Sequence, residues 1–243
     1  MNKYIKILIN VMVIFLFLNT ADLINNVNKA YADESPKKVY LTFDDGPTYV
    51  ITNKILDILQ RYKVKGTFFI VGKEIDGKEK ILNRIYDEGH GIGVHTYSHN
   101  NRLIYRSEEH FIAENILAAE KIKEVTGFYP GVLRFPGGSC FKLTESLLEK
   151  LHKNNFKVFD WNASLEDGLN PNLNEVMLVK NALKIKGDRN KVIILMHCNY
   201  NNKNTVKALP EIIEKYKSES NNFEPISNLT EEYHYRIKKK RIS

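Results

Sequence analysis

The fold follows from residues 39–47, which read VYLTFDDGP. Val39 to Phe43 is a short run of β-branched and aromatic residues, a composition typical of a buried strand. The run ends at Asp44-Asp45-Gly46-Pro47, and apolar residues then recur with the 3.6-residue period of a helix over residues 51–59. The segment therefore predicts a strand–turn–helix unit whose turn carries two adjacent carboxylates.

The same alternation of strand and helix continues along the chain. The strand candidates are Val39–Phe43, Thr67–Val71, Gly91–His95, Val132–Phe135, Lys157–Trp161, Val192–His197 and Phe223–Ile226. Helical patterns separate them, over residues 51–59, 75–86, 107–126, 144–154, 173–185 and 205–216. Ser107 is the expected N-cap of the longest helix and Gly127 its stop. Strict alternation predicts one parallel α/β sheet, either a barrel or a doubly wound sheet.

Length and composition are those of a single globular domain. The chain has 243 residues, of which 43% are hydrophobic, 27% charged and 11% aromatic, which excludes disordered, collagenous and multi-span membrane chains. Lys and Arg number 36 against 29 Asp and Glu, a formal charge of +7 that is compatible with any anionic surface. Two cysteines exclude a disulfide-dense scaffold and a four-cysteine zinc site.

Residues 1–32 have the pattern of a secretory signal peptide. Lys3 and Lys6 mark a basic start, an apolar stretch runs from Ile5 to Leu18, and Ala30-Tyr31-Ala32 places small residues before a cleavage site. We expect cleavage after Ala32 and a secreted or cell-wall-associated protein. The alternative is an uncleaved membrane anchor. Residues 33–235 then form a single folded domain, and residues 236–243 a basic tail.

Polar side chains follow five of the predicted strands. They are Asp44 and Asp45, His95 and His99, Arg134, Asp160 with Trp161, and His197. Because the sites of parallel α/β folds lie at the carboxyl ends of the strands, we expect these residues to converge. Individually they have simpler interpretations, since Asp44-Asp45-Gly46-Pro47 is also a turn signal and Trp161 is equally compatible with the core.

These residue types are those of a metal-assisted hydrolase. Two imidazoles four residues apart and one carboxylate make a three-ligand set that leaves positions open for water and substrate. One of the adjacent aspartates would bind the metal while the other takes a proton from the attacking water. Arg134 would hydrogen-bond that base, and His197, oriented by Asp160, would protonate the leaving group. The set predicts acyl hydrolysis.

Five segments, in this order, resemble the motifs of the polysaccharide deacetylases, the NodB-homology domains of carbohydrate esterase family four. They are Thr42-Phe43-Asp44-Asp45-Gly46-Pro47, His95-Thr96-Tyr97-Ser98-His99, Arg134-Phe135-Pro136-Gly137-Gly138, Asp160-Trp161-Asn162 and Leu195-Met196-His197. The resemblance extends from Val39 to Ile226. It implies a distorted (β/α) barrel with fewer than eight strands, in agreement with the seven strand candidates predicted.

The resemblance implies that Asp44 is the catalytic base. It also implies that Asp45, His95 and His99 bind one divalent ion, zinc, cobalt or another. His197 would be the acid.

The remaining motif residues would support these groups. Arg134 would tune the base, and Asp160 would tune His197. The backbone N–H of Gly137, which stands where many members have tyrosine, would bind the oxyanion. Trp161 would line the sugar groove.

The implied activity is metal-dependent removal of acetyl groups from a polymer of N-acetylglucosamine, with peptidoglycan as the leading substrate. Chitin-like oligomers, an exopolysaccharide and acetylated xylan are alternative substrates, and a non-catalytic sugar-binding module is an alternative of another class. The basic charge fits an anionic cell-wall matrix. The resemblance implies no nucleic-acid partner and no protein partner.

The two cysteines lie near the site. Cys140 follows the Arg134 segment, and Cys198 stands directly after His197, where the family usually has aspartate. Since both are on loops at the same end of the sheet, one prediction for an exported protein is a disulfide between them. Two unpaired, partly buried thiols are the alternative.

Overall fold

A computed structural model of the chain describes residues 37–237. Its strands are β1 Lys38–Gly46, β2 Gly66–Ile70, β3 Gly91–Val94, β4 Val132–Leu133, β5 Lys157–Val158, β6 Ala163–Ser164, β7 Lys191–His197 and β8 Asn222–Phe223. Its helices are α1 Ile51–Tyr62, α2 Glu79–Asp87, α3 Asn101–Ile104, α4 Glu108–Thr126, α5 Glu145–Lys153, α6 Glu175–Ala182 and α7 Lys203–Ser218. A 3₁₀ turn covers Gly72–Glu74.

The strands form one parallel sheet in the order β5-β4-β3-β2-β1-β7-β6. Lys38 and Val39 at the start of β1 pair with β8, and from Leu41 onward β1 pairs with β2. Since β7 pairs with β1 over its whole length up to Asp44, β2 and β8 share the other edge of β1. The sheet curls into a half-barrel flanked by helices, which confirms the predicted single-domain distorted barrel.

The longest helix begins and ends where the sequence predicts. The Ser107 side chain accepts a hydrogen bond from the backbone N–H of His110, and Gly127 closes α4 with a left-handed φ of 75°. Strand β6 was not predicted, because Ala163 and Ser164 are neither β-branched nor aromatic, unlike residues of the other short strands. Its place in the sheet matters for the site.

Alternation along β1 divides the core into two layers. Val39, Leu41 and Phe43 belong to the large apolar cluster shared with the helices, whereas Tyr40 belongs to a second cluster on the other face of the sheet. That second cluster comprises Tyr40, Phe69, Val132, Phe159, Ile193 and Ile226. Trp161 and Tyr233 pack against this cluster, and the Phe69 ring stacks against the Arg134 guanidinium.

The predicted signal peptide, residues 1–32, lies outside the described residues, as do residues 238–243 of the basic tail. Both remain predictions. Within residues 37–237, no helix has the length and apolarity needed to cross a membrane.

Candidate active site

A β-bulge at the end of β1 brings two adjacent carboxylates into one cavity. In a regular strand, neighbouring side chains point to opposite faces of the sheet. Here the pairing with β2 passes from Asp44 directly to Gly46, and Asp45 takes a left-handed backbone with φ 72°. Aspartate tolerates this conformation better than most residues. Asp44 and Asp45 therefore both line the same cavity.

Asp45, His95 and His99 form a cluster of three potential metal ligands. Asp45 Oδ1 lies 3.6 Å from His95 Nε2 and 3.4 Å from His99 Nε2. One ligand atom from each residue lies within 4.8 Å of the other two. Two imidazoles and one carboxylate fit a zinc-like divalent ion and leave coordination positions open.

The surroundings of this cluster prepare its ligand atoms. His95 Nδ1 lies 2.9 Å from the Arg134 carbonyl oxygen, and since a carbonyl only accepts, Nδ1 carries the proton and Nε2 is free to bind a metal. Burial lowers the pKa of His95, which keeps the imidazole neutral. Burial opposes ionisation of Asp45, but the charges of His95, His197 and His99 lower its pKa below the ordinary value.

Two supporting residues were not predicted from the sequence. Asn199 Nδ2 donates to Asp45 Oδ2 at 3.2 Å. Glu114 of α4 accepts hydrogen bonds from the backbone N–H groups of Tyr97 and Ser98, at 3.1 and 2.7 Å, and so holds the loop between the two histidines. Neither residue is near its partner in the chain, so no local pattern could have revealed it.

Arg134 is fully buried beneath the cavity and holds Asp44. Its Nη1 donates to Asp44 Oδ1 at 2.9 Å and to Thr42 Oγ1 at 2.7 Å, and its Nε donates to the Phe159 carbonyl at 2.9 Å. The guanidinium stacks on the Phe69 ring, with Cζ 4.1 Å from the centroid. Because Oδ1 is occupied, Asp44 Oδ2 is the oxygen left for chemistry.

Asp167, and not Asp160, orients His197. His197 Nδ1 lies 2.9 Å from Asp167 Oδ1, and the His197 backbone N–H donates to Asp167 Oδ2 at 2.9 Å. Thr205 Oγ1 also donates to Asp167 Oδ2, at 2.7 Å. Burial opposes protonation of His197, but the hydrogen bond and charge of Asp167, with the charge of Asp44, raise its pKa to about 9. His197 is therefore a protonated imidazolium at neutral pH, with Nε2–H as the remaining donor.

The prediction that Asp160 tunes His197 is wrong. The Asp160 carboxylate accepts hydrogen bonds from the backbone N–H groups of Ser139 and Tyr235, each within 2.9 Å, and from the Ser139 hydroxyl. Its carbonyl accepts from Arg134 Nη2 at 3.2 Å. Asp160 thus joins the loop after β4 to the chain near residue 235, because β5 ends on that side of the site.

Gly168 lies directly against the imidazole ring of His197. A Cβ built on Gly168 would stand 2.3 Å from His197 Cε1 and 2.5 Å from Nε2, far inside van der Waals contact, so only glycine fits beside the ring. Asp167-Gly168 follows the unpredicted strand β6. An Asp-Gly turn signal was present in the sequence, but without the strand it could not be recognised as a strand exit.

The cavity that contains these groups has a volume of about 510 Å³. Gly137 and Trp161 line it, together with the five acidic and imidazole side chains of the site. Among the described residues the Gly137 N–H donates to no backbone acceptor, so it is available to an oxyanion. Trp161 is half-buried, and its ring lies 5.6 Å from Arg134 Cζ.

The predicted disulfide between Cys140 and Cys198 is absent. Both cysteines are free, Cys140 exposed and Cys198 buried. The Cys198 Sγ and backbone N–H both lie against the Asp44 carbonyl, at 3.2 and 2.9 Å, and burial raises the pKa of this thiol. Cys198 therefore packs beneath the site as a small apolar residue that ties the end of β7 to the end of β1.

Comparison with known proteins identifies the family of the chain. The family model described as polysaccharide deacetylase matches residues 31–159. Two peptidoglycan-N-acetylglucosamine deacetylases of Bacillus cereus are 38% identical over 141 residues (57% of this chain, 50% of that protein) and 31% identical over 194 residues (77% and 68%). The catalytic domain of peptidoglycan N-acetylglucosamine deacetylase from Eubacterium rectale superimposes with a TM-score of 0.76 at 28% identity, covering 85% of this chain and 96% of that one.

The similarity covers only part of the length of some relatives. The chain spans 66%, 50% and 44% of the length of three of its curated relatives. The family model covers more than half of the 243 residues and includes the segments that carry Asp44, the ligand cluster and Arg134. The chain belongs to the polysaccharide deacetylase family.

Proposed function

We propose that the chain is a divalent-metal-dependent deacetylase that hydrolyses the N-acetyl groups of N-acetylglucosamine residues in peptidoglycan. The observation that carries this proposal is the meeting of three groups in one cavity: a carboxylate held by Arg134, an imidazolium held by Asp167, and a two-histidine, one-aspartate cluster. The names of the similar Bacillus and Eubacterium proteins support the choice of substrate.

Each side chain then has one task. A divalent ion bound by Asp45, His95 and His99 would polarise the acetamide carbonyl and lower the pKa of a water molecule in the cavity. Asp44 Oδ2 accepts a proton from the water that attacks the carbonyl carbon. The Gly137 N–H donates to the carbonyl oxygen as negative charge develops on it.

The acid completes the reaction. As the carbon–nitrogen bond breaks, His197 Nε2–H protonates the departing sugar nitrogen, and the products are acetate and a free amine. Asp167 keeps the His197 ring in place through Nδ1, so Nε2 is the nitrogen that faces the cavity. The atoms assigned to each proton transfer, Asp44 Oδ2 and His197 Nε2, are those that the protein does not already engage through Arg134 and Asp167.

The direct test is acetate release from three polymers: peptidoglycan, N-acetylglucosamine oligomers and acetylated xylan. We expect release from peptidoglycan to be fastest, to stop after dialysis against a chelator, and to return on addition of Zn²⁺ or Co²⁺. Asp44→Asn is the matched variant, because it retains the three metal ligands and removes the base; we expect it to bind metal and release no acetate above background.

The outcomes separate the competing functions. Faster acetate release from acetylated xylan or from chitin-like oligomers would refute peptidoglycan as the preferred substrate and identify that polymer instead. Binding of glycans by metal-loaded wild type with no acetate release from any polymer would refute the enzyme and favour a sugar-binding module.

We also propose that the protein is exported and acts at the cell wall. The signal-peptide pattern of residues 1–32 supports this, as does the net positive charge of the chain. N-terminal sequencing of protein recovered from the medium and the wall fraction should begin at Asp33. Recovery of the uncleaved chain in membranes would indicate an anchor, and recovery from the cytoplasm alone would refute export.

A further inference from the structure

A second cavity of about 450 Å³ adjoins the active site. Trp161, Ser164, Glu166 and Lys186 line both cavities, so the two form one continuous depression that passes along Trp161. A ligand held in the active site would therefore reach the second cavity with its neighbouring unit. Of the predicted site residues, only Trp161 also lines the second cavity.

The second cavity has aromatic walls and a positively charged rim. We call it the lysine groove and define it by Trp161, Glu166, Lys184, Lys186, Tyr233 and Tyr235. Trp161 and Tyr235 meet edge to face with ring centroids 5.6 Å apart, which makes a rigid corner. Half-buried aromatic rings combine an apolar face with a polar tip, and they suit the apolar face and hydroxyl edge of a sugar ring.

The charges of the lysine groove are unbalanced. Lys184 and Lys186 face a single carboxylate, Glu166. Asn181 engages two of these groups, since its Oδ1 accepts from Lys184 Nζ at 2.8 Å and its Nδ2 lies 3.4 Å from Glu166 Oε2. Neither lysine forms an ion pair with any residue between 37 and 237, and the Lys186 ammonium, unlike that of Lys184, also forms no hydrogen bond within that range. The ammonium that lines both cavities is thus the one left without a polar partner among the described residues.

The backbone supports a binding role for this region. Glu166 has a left-handed φ of 64°, a conformation that costs free energy in a residue with a side chain and that concentrates at functional sites. It places the Glu166 side chain at the junction of the two cavities. A carboxylate and an unpaired ammonium therefore both line the junction of the two cavities.

We infer that the lysine groove binds a saccharide unit that carries a carboxylate, next to the N-acetyl sugar undergoing hydrolysis, with Lys186 as the residue that recognises it. The inference rests on the proposed function and specifies its substrate. In peptidoglycan the adjacent sugar bears a lactyl ether, and the carboxylate has two sources: the lactyl group where the peptide is absent, and the acidic residues of the peptide where it is present.

The test compares glycans that differ in charge. Three length-matched substrates are used: neutral N-acetylglucosamine oligomers, peptidoglycan strands stripped of peptide, and strands with peptide attached. The measured quantity is the ratio of kcat/KM on each anionic glycan to kcat/KM on the neutral oligomer. For Lys186→Met we expect this ratio to fall about tenfold at low salt, the loss of one charge-assisted hydrogen bond. Lys186→Arg should restore most of it.

Lys180→Met is the control, because Lys180 lies on α6 and lines neither cavity. It should leave the ratio unchanged. Raising the ionic strength should reduce the wild-type ratio toward that of Lys186→Met, since salt screens partly exposed charge pairs. An unchanged ratio in a Lys184→Met, Lys186→Met double variant on both anionic glycans would overturn the inference.

Failure of the proposed function has a different signature. If metal-loaded wild type released no acetate from any glycan, isothermal titration with the same three glycans would still test the groove. Tighter binding of an anionic glycan that depends on Lys186 would support it, and equal affinity for all three would refute it. Dependence on Lys186 only with stripped strands would identify the lactyl carboxylate, and dependence only with peptide-bearing strands would identify the peptide.

Discussion

Two buried aspartates have different roles at the site because their hydrogen-bond partners differ. Asp167 has both oxygens engaged with His197, at the ring and at the backbone N–H. Asp160 has its oxygens engaged with Ser139 and Tyr235. A negative charge beside an imidazole favours its protonated form, whereas a negative charge among backbone N–H groups orders loops.

The first prediction concerns the pH dependence of Asp167→Asn. The pKa of His197 is raised to about 9, and the acid works only while protonated, so activity is lost as pH rises through that pKa. Removing the Asp167 charge lowers the His197 pKa, so the alkaline limb of the kcat profile should move to lower pH, and kcat should fall by about 10². A divalent cation bound nearby would lower the His197 pKa in the wild type and in the variant alike, so the difference between their two pKa values is the quantity to measure.

Asp160→Asn is the matched control for this pH profile. It should leave the alkaline limb where it is in the wild type. A shift of the limb in Asp160→Asn and none in Asp167→Asn would contradict the assignment made from the structure.

The second prediction concerns metal binding by His99. We expect Zn²⁺ at about a hundredfold excess over its Kd to stabilise the wild type by roughly 2.7 kcal/mol, because the ion binds only the folded site. His99→Ala removes one of three ligands and should abolish most of this stabilisation. Thermal unfolding with and without Zn²⁺ measures it, and His110→Ala, an exposed histidine on α4, should respond like the wild type. Equal stabilisation of His99→Ala would exclude it as a ligand.

At the scale of elements, irregular strand ends and well-capped helices position side chains that a regular sheet would not bring to the site. The β1 bulge turns Asp45 toward the histidines, and α4 brings Glu114 under the loop that carries them. Helix α4 is itself held by local signals, with Ser107 as N-cap, Glu108 and Glu109 in its first turn, and Gly127 at its end. Its position therefore depends on its first turn as well as on packing.

The third prediction concerns the stability of α4. Ser107→Ala removes the oxygen that accepts from the His110 backbone N–H, and it should lower the free energy of unfolding by about 1 kcal/mol. Urea unfolding followed by circular dichroism measures the change. Ser107→Asp keeps an acceptor oxygen near the positive end of the helix, so its stability should match or exceed the wild type. Equal stability of Ser107→Ala and wild type would show that the cap contributes nothing.

At the scale of the whole molecule, the half-barrel holds its site by packing and hydrogen bonds without a covalent bridge between the two cysteines. Cys198 is fully buried under the site and Cys140 is exposed. The fourth prediction follows from this difference. In the native protein a thiol reagent should modify one cysteine rapidly, and both should react after unfolding without reductant.

Cys140→Ser identifies the reactive thiol. It should abolish the rapid reaction and leave one thiol that appears only on unfolding. No titratable thiol in the unfolded, unreduced wild type would instead indicate a disulfide and contradict the structure.

The amino-acid sequence by itself determined the strand–helix alternation, the parallel sheet and most of the groups at the strand exits, because these are local properties. A strand of β-branched residues, a cap three residues before its partner, and an Asp-Asp-Gly-Pro turn are each visible within a few residues. The side chains of Asp44, Asp45, His95, His99 and His197 line one cavity because parallel strands end at the same edge of a sheet.

Only the tertiary structure decided which carboxylate meets His197. In the sheet order, β6 lies beside β7, which ends at His197, whereas β5 lies at the opposite edge. The loop after β6 therefore reaches His197, and Asp167 of this loop takes the role predicted for Asp160. Strand order is set by long-range pairing and the closure of the half-barrel, not by any short stretch of sequence. The same reason applies to Asn199, Glu114 and the lysine groove, whose partners meet only once the chain has folded.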